Sequence, residues 1–207
     1  MSHPFLEGIF LEGVKKMMSI RTAAISDAAE LLDIYAYYVE NTAITFEYDV
    51  PSTDEFRRRI EHTLERYPYL AAVENGRITG YAYAGTFKPR AAYAWCVETS
   101  LYVAKDARGR GIGSALLHEL EGILKRQNIL NVNACITVPR EREDEYLTSA
   151  SERFHEKKGY TKVGTFHDCG YKFGRWYNMI WMEKMLGNHG ASVPEVIPFP
   201  DLGNTGG

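Results

Sequence analysis

Cysteine is scarce in this chain, three residues in 207, and Cys96, Cys135 and Cys169 make neither an even-numbered framework nor a C-x-x-C pair. That pattern excludes a disulfide-stapled scaffold and suits a reducing, cytoplasmic setting. No stretch approaches the roughly 18 apolar residues that a membrane-spanning helix needs, so no membrane partner is expected. The opening segment has one short apolar patch, Gly8 to Leu11, and Glu7 and Glu12 interrupt it, so it does not read as a secretion signal. An excess of positive charge is also lacking, since 24 Lys and Arg face 27 Asp and Glu for a formal net charge of −3. Without a general positive field, nucleic acid is not an expected partner. The six histidines show no ligand spacing such as H-E-x-x-H, so no metal is expected.

What is present is a globular composition, 45% hydrophobic and 25% charged, enough to bury one core in a chain of this size. We expect one domain over residues 19–186, an N-terminal extension over 1–18 and a loose Gly- and Pro-containing tail over 187–207. The pair Met17–Met18 also allows translation to start there. Ser19–Ala23 reads as a strand, and Ser26-Asp27 as the cap of a helix carrying Leu31, Leu32, Tyr35, Tyr38 and Val39. Ser52-Thr53-Asp54-Glu55 has capping-box spacing before a helix with Phe56, Ile60 and Leu64 on one face. Asn75-Gly76 joins Tyr69–Glu74 to Ile78–Phe87 as a hairpin. A strand over Ala94–Val103 should place Glu98, Ser100 and Tyr102 on one face and Val97, Thr99, Leu101 and Val103 on the other. Next come a helix with Leu116, Leu117, Leu120, Ile123 and Leu124, a strand over Val132–Val138, and a solvated charged loop over Arg140–Glu145. A helix over Ser149–Lys158 and strands over Tyr160–Cys169 and Trp176–Lys184 complete the order βααβββαβαββ. The strand-helix-strand step implies one parallel crossover, so the class is α+β, a mixed sheet with helices on both faces.

One segment carries chemistry on its own. Arg108-Gly109-Arg110-Gly111-Ile112-Gly113-Ser114 lies between a strand and a helix start, where main-chain N–H groups and the positive helix end converge on a volume suited to a pyrophosphate. Lys105, Arg108 and Arg110 would supply charge without a metal. A P-loop would need Gly-Lys-Ser/Thr after four residues, and a dinucleotide fold a third glycine three residues after the second; here it comes after two. An exposed glycine-rich turn stays open as the plainer reading.

Arg108, Gly111 and Gly113 resemble the acetyl-CoA pyrophosphate motif, R-x-x-G-x-G, of the GNAT superfamily. More narrowly, the run from Ala84 through Lys88, Arg90, Tyr93 and Glu98 to Val103 is similar to that of phosphinothricin and methionine sulfoximine acetyltransferases. So are Phe154–Tyr160 and Gly170–Trp176. The likeness spans about Ile20 to Met185. It implies the GNAT fold, a central, mostly antiparallel mixed sheet flanked by helices, and transfer of an acetyl group from acetyl-CoA to the amino group of a small amino-acid-like substrate. Homodimers are the family's expected form.

The resemblance also assigns roles. Attack by an amine that is mostly protonated near neutrality needs a base. The family's base falls at Glu98, a carboxylate among apolar neighbours in mid-strand. His155 stands where many relatives carry the general acid, and a packed helix histidine is the other reading. Main-chain N–H groups near Leu101, Tyr102 and Val103 are expected to face the thioester and pantetheine, with Ser151 as a further cofactor contact. Phe46, Lys88, Arg90 and Tyr93 match substrate-binding positions, where Arg90 suits a carboxylate or phosphinate. One departure concerns the cofactor: relatives place an Asn seven residues before the helix His, and this chain has Thr148. Acetylation of another amine (an amino acid, a polyamine or a protein N-terminus) and a non-catalytic acyl-CoA sensor stay open as alternatives.

Overall fold

The structure is a computed structural model that describes residues 18–204; the expected N-terminal extension therefore lies outside the described residues except for Met18. Seven strands form one sheet, β1 (Met18–Thr22), β2 (Tyr69–Glu74), β3 (Arg77–Thr86), β4 (Cys96–Val103), β5 (Asn131–Val138), β6 (Thr161–Lys172) and β7 (Arg175–Met185). Their spatial order is β1-β2-β3-β4-β5-β7-β6, and only β4 and β5 run parallel. Four helices accompany them, α1 (Ala28–Asn41), α2 (Thr53–Leu64), α3 (Ile112–Arg126) and α4 (Ala150–Lys157). This is the expected mixed α+β architecture, element for element. Among the described residues no helix is long and apolar enough to cross a membrane.

Strand alternation sorts the core into two layers. Tyr81 and Tyr102 lie on the α1/α2 side, where Tyr102 meets Tyr35, Tyr38 and Tyr81 with ring centroids 5.0–5.3 Å apart and Tyr81 meets Phe56 of α2 at 6.3 Å. Gly80 lies on the other side, and a Cβ there would stand 3.2 Å from Ile112 and 3.3 Å from Leu116. The missing side chain thus lets α3 lie directly on β3, with Leu116, Leu120 and Leu124 fully buried beneath it.

Local chemistry moved several boundaries. Ser52 does cap α2, accepting from Glu55 N–H at 3.2 Å. Ser26-Asp27, in contrast, sits in a 3-10 turn, and the Asp27 carboxylate turns back to Ala24 N–H and Arg21. β4 starts at Cys96, not Ala94, because a second 3-10 turn, Ala91–Tyr93, closes with Ala94 N–H on Ala91 O. β6 extends to Lys172 through a bulge between Phe166 and Gly170, where Asp168 takes a φ of 48° and its N–H donates to the Asn178 side chain. The Arg140–Glu145 loop is not simply solvated, since Asp144 accepts from the N–H groups of Tyr146 and Leu147 and from Tyr177 Oη.

The tail is the largest correction. Within it residues 194–202 are docked, because buried Gln127 donates to Ile197 O and Arg66 O at 2.8 Å while Ile197 N–H returns a bond to Gln127 O. Trp95 Nε1 donates to Pro194 O at 2.7 Å, Asn128 donates to Glu195 O, and Val196, Phe199 and Leu202 pack on the main core. A loop rich in Gly and Pro can be ordered when its main-chain groups find such buried partners. Truncation after Leu186 is expected to lower Tm by roughly 5–10 °C, a loss of about 3 kcal/mol in a chain of this length. Calorimetry of the shortened protein checks this, and an unchanged Tm would contradict it.

Candidate active site

β4 and β5 begin as neighbours and then part. Their parallel ladder covers only Cys96–Asn131, Val97–Val132 and Glu98–Asn133. The junction is fastened from both sides: Asn133 Nδ2 donates to Val97 O, and Thr99 Oγ1 donates to Asn133 O. Beyond it a cleft of about 580 Å³ opens between the strands, walled by α3 and α4. Its lining includes Leu101, Tyr102 and Val103 of β4, Cys135 of β5, the loop residues Arg108, Gly109 and Gly111, and Thr148, Ser151 and His155 near α4.

The phosphate loop occupies one end. Gly111, the residue that starts α3, has a φ of 85°, a left-handed conformation that glycine adopts without strain. Ala115 N–H makes the bond back to Gly111 O. The N–H groups of Ile112, Gly113 and Ser114 therefore have no helical partner and point out of the helix start. A Cβ on Gly113 would lie 3.2 Å from Leu101, so this glycine lets the first turn of α3 rest on β4 at the mouth of the split. Arg108 is exposed and stacked over Tyr38 and Tyr37 at 4.9 and 5.2 Å, with Lys105 over Tyr37 at 5.1 Å. Arg110 differs from expectation: its guanidinium pairs with Glu74 of β2 and it does not line the cleft. The Arg108 guanidinium and three main-chain donors at a helix start fit a diphosphate, while Lys105 lies outside the cleft lining.

Which β4 amides face the cleft follows from register. Ala104 N–H donates to Thr79 O of the β3 side, so by alternation Tyr102 N–H also points to β3, whereas Leu101 and Val103 point into the split. Val103 is already engaged: Tyr38 Oη accepts from its N–H at 3.2 Å and donates to its carbonyl at 2.7 Å. Of the three expected donors, Leu101 N–H is the one left facing the cleft. The Tyr102 ring is committed to the aromatic layer.

Glu98 is half-buried on the last rung of the ladder, next to Thr99, where the cleft lining on β4 begins. Burial raises its carboxyl pKa above the ordinary value, and the Lys88 ammonium opposes that shift only in part. Such a carboxylate is a stronger base than an ordinary glutamate. Glu98 also acts electrostatically on Cys135 in the cleft wall, whose thiol burial pushes up to about 12. Lys88 lies over Phe87 and Trp181 at 5.0 and 5.8 Å, and Phe87 meets Tyr93 at 6.1 Å. Glu98, Lys88 and Tyr93 are thus brought together around Phe87 and Trp181. Arg90 is exposed on the same connection. Phe46 packs apart from them, against Gly170 and beside Ala43, Leu147 and Tyr177.

His155 lines the cleft but is buried at 7% exposure, its Nδ1 2.8 Å from Ser151 O. A carbonyl only accepts, so Nδ1 carries the proton and Nε2 is the acceptor. Desolvation lowers its pKa despite that bond. A neutral imidazole of this tautomer is not a proton donor to the cleft, which argues against the acid role and for the packing role, edge-on to Tyr160 at 5.0 Å. Sequence reasoning missed Trp181, the Tyr38 hydroxyl and Lys172. A Trp in a strand or a Tyr on an apolar helix face carries no local mark of such a contact.

Comparison with known proteins agrees with this geometry. Residues 20–181 match the acetyltransferase (GNAT) domain family. The chain is 37% identical to a phosphinothricin N-acetyltransferase of Streptomyces coelicolor, over 82% of this chain and 96% of that protein. It is 33% identical to an L-methionine sulfoximine/L-methionine sulfone acetyltransferase of Salmonella typhimurium, over 84% and 98%. Among solved structures, a phosphinothricin acetyltransferase from Sinorhizobium meliloti in complex with acetyl-CoA superposes with a TM-score of 0.78, at 33% identity, over 89% of this chain and 96% of that one.

Proposed function

The chain belongs to the GNAT acetyltransferase family and is an acetyl-CoA-dependent N-acetyltransferase, and from that premise we propose that its acceptor is the amino group of a small amino-acid-like substrate of the phosphinothricin or methionine sulfoximine type, with Glu98 as general base. The observation that carries this reading is the half-buried Glu98 with a raised pKa, at the point where β4 leaves β5, with the cationic Lys88 and Arg90 on the approach.

In this reading the first turn of α3 and Arg108 hold the diphosphate of the acetyl donor, which supplies the activated acetyl group. Glu98 accepts a proton from the bound ammonium, directly or through a water, and so exposes the nitrogen lone pair for attack on the acetyl carbonyl; the C–S bond then breaks, and the departing thiolate takes the proton that the new amide nitrogen gives up. Leu101 N–H donates to the oxygen that gains charge in that step. Arg90 and Lys88 grip the acceptor's anionic end. His155 packs α4 against Tyr160, and Thr148 and Ser151 border the donor's path.

The homodimer enters the same proposal. β6 is an edge strand, and Val163, Phe166, Tyr171 and Trp176 on the β6–β7 hairpin are each about half exposed, an apolar edge suited to a second copy. Three free thiols suit a cytoplasmic location. The proposed domain is residues 19–186, with the docked tail as its outer strap.

A panel followed by free-thiol release tests the acceptor class. Phosphinothricin or methionine sulfoximine is expected to exceed spermidine in kcat/KM by about 100-fold, because the cationic Lys88 and Arg90 repel a polycation. Preference for spermidine or a peptide N-terminus would overturn the acceptor assignment.

A further inference from the structure

Lys172 is a lysine with almost no access to water, 2% exposed near the end of β6. Its ammonium donates to Val39 O at 2.8 Å, Thr42 O at 3.0 Å and Thr45 O at 2.8 Å. Three N–H groups thus meet three carbonyls, and these belong to the last turn of α1 and the segment that follows it, more than 120 residues away in sequence. A helix C-terminus presents unpaired carbonyls and partial negative charge, so a buried cation is at home there.

The segment so gripped leads into the cleft. Ile44 lines the cleft, and Phe46 lies so close to Gly170 that a Cβ at that glycine would overlap the ring. Ala43 N–H donates to Tyr146 O, and Ala43, Leu147 and Tyr177 form a second small core, separate from the main one. Few apolar contacts hold so small a cluster, so the directional bonds of Lys172 carry much of its placement.

We propose that Lys172 is a positioning residue for the acceptor pocket: by gathering the carbonyls of Val39, Thr42 and Thr45 it fixes residues 42–47, with Ile44 and Phe46, against the β6–β7 hairpin. This rests on the proposed function and on reading the cleft wall at Ile44, with Phe46 packed on Gly170 beside it in the chain, as the acceptor side. Removal of the ammonium leaves three buried carbonyls without a donor, and the segment must move to hydrate them.

Lys172→Met keeps the length of the side chain and removes its donors. In the protein without acceptor, amide hydrogen exchange over residues 42–47 is expected to rise about tenfold or more while residues 116–124 of α3 keep their protection. With the best acceptor from the panel, its KM rises about tenfold and the acetyl-CoA KM stays within about twofold. Unchanged exchange over 42–47, or equal shifts in both KM values, would overturn the proposal. If the wild-type protein acetylates no member of the panel, the acceptor assignment fails and the exchange comparison alone decides the role of Lys172. Should Lys172→Met not fold, Lys172→Arg carries the same readouts, since it keeps the charge but cannot serve three carbonyls from one nitrogen. Smaller changes in the same direction are expected, and wild-type values in both would again overturn the proposal.

Discussion

Glu98→Gln is expected to lower kcat by roughly 10²–10⁴-fold with the acetyl-CoA Kd unchanged, the range over which a positioned base contributes to proton transfer. The amide is isosteric, cannot take a proton from the ammonium, and leaves the strand pairing with Gly85 and Asn133 intact. The pH dependence carries the same claim. Burial raises the Glu98 pKa, so the base is lost by protonation at a higher pH than an ordinary carboxylate would be. The wild-type rate should therefore fall on the acid side along a limb displaced upward from the usual Glu range. Glu98→Gln should lack that limb. Lys88→Met removes the cation that opposes the shift, so it should move the limb further upward. Steady-state kinetics between pH 5 and 9 with saturating acetyl-CoA measures all three, and full activity in Glu98→Gln would remove Glu98 as the base.

Arg108→Ala is expected to act on the other substrate, raising the acetyl-CoA KM by about 10–100-fold with kcat within a few-fold, since a charge-assisted phosphate contact contributes roughly 1.5–3 kcal/mol. The guanidinium already lies against Tyr37 and Tyr38, 5.2 and 4.9 Å from their ring centroids. It is thus held near the loop before any ligand arrives, and little side-chain entropy remains to be lost on binding. Arg110→Ala offers the contrast. Its partner is Glu74, so the loss should appear in thermal stability more than in the acetyl-CoA KM. Titration calorimetry of the two variants separates them, and equal losses of acetyl-CoA affinity would contradict the division of roles.

These features differed in how far the chain announced them. The Asn75-Gly76 hairpin was legible because both residues tolerate the positive φ that its turn requires, and here they take 53° and 78°. Phe173-Gly174 closes β6 and β7 with φ values of 51° and 74°, and a phenylalanine in that region is disfavoured by local sterics, so the tertiary fold overrides its preference. The phosphate loop was legible through local rules of glycine spacing and helix start. The Arg110–Glu74 pair was not, since two nearby arginines look alike until the fold supplies a carboxylate to one of them. The same holds for Tyr38, whose hydroxyl occupies the Val103 amide 65 residues away, and for Trp95, which holds the tail 99 residues away. Glu98 was visible as a charge in an apolar strand. Its position at the parting of β4 and β5 depends on where the ladder stops, which no single strand encodes.

A crystal structure with acetyl-CoA bound tests the central claim most directly. The account predicts the diphosphate against the N–H groups of Ile112, Gly113 and Ser114 beside Arg108, and the thioester between β4 and β5 with its carbonyl oxygen within hydrogen-bond reach of Leu101 N–H, on the way to Glu98. A diphosphate bound away from the start of α3, or a thioester that does not enter the split, would contradict it.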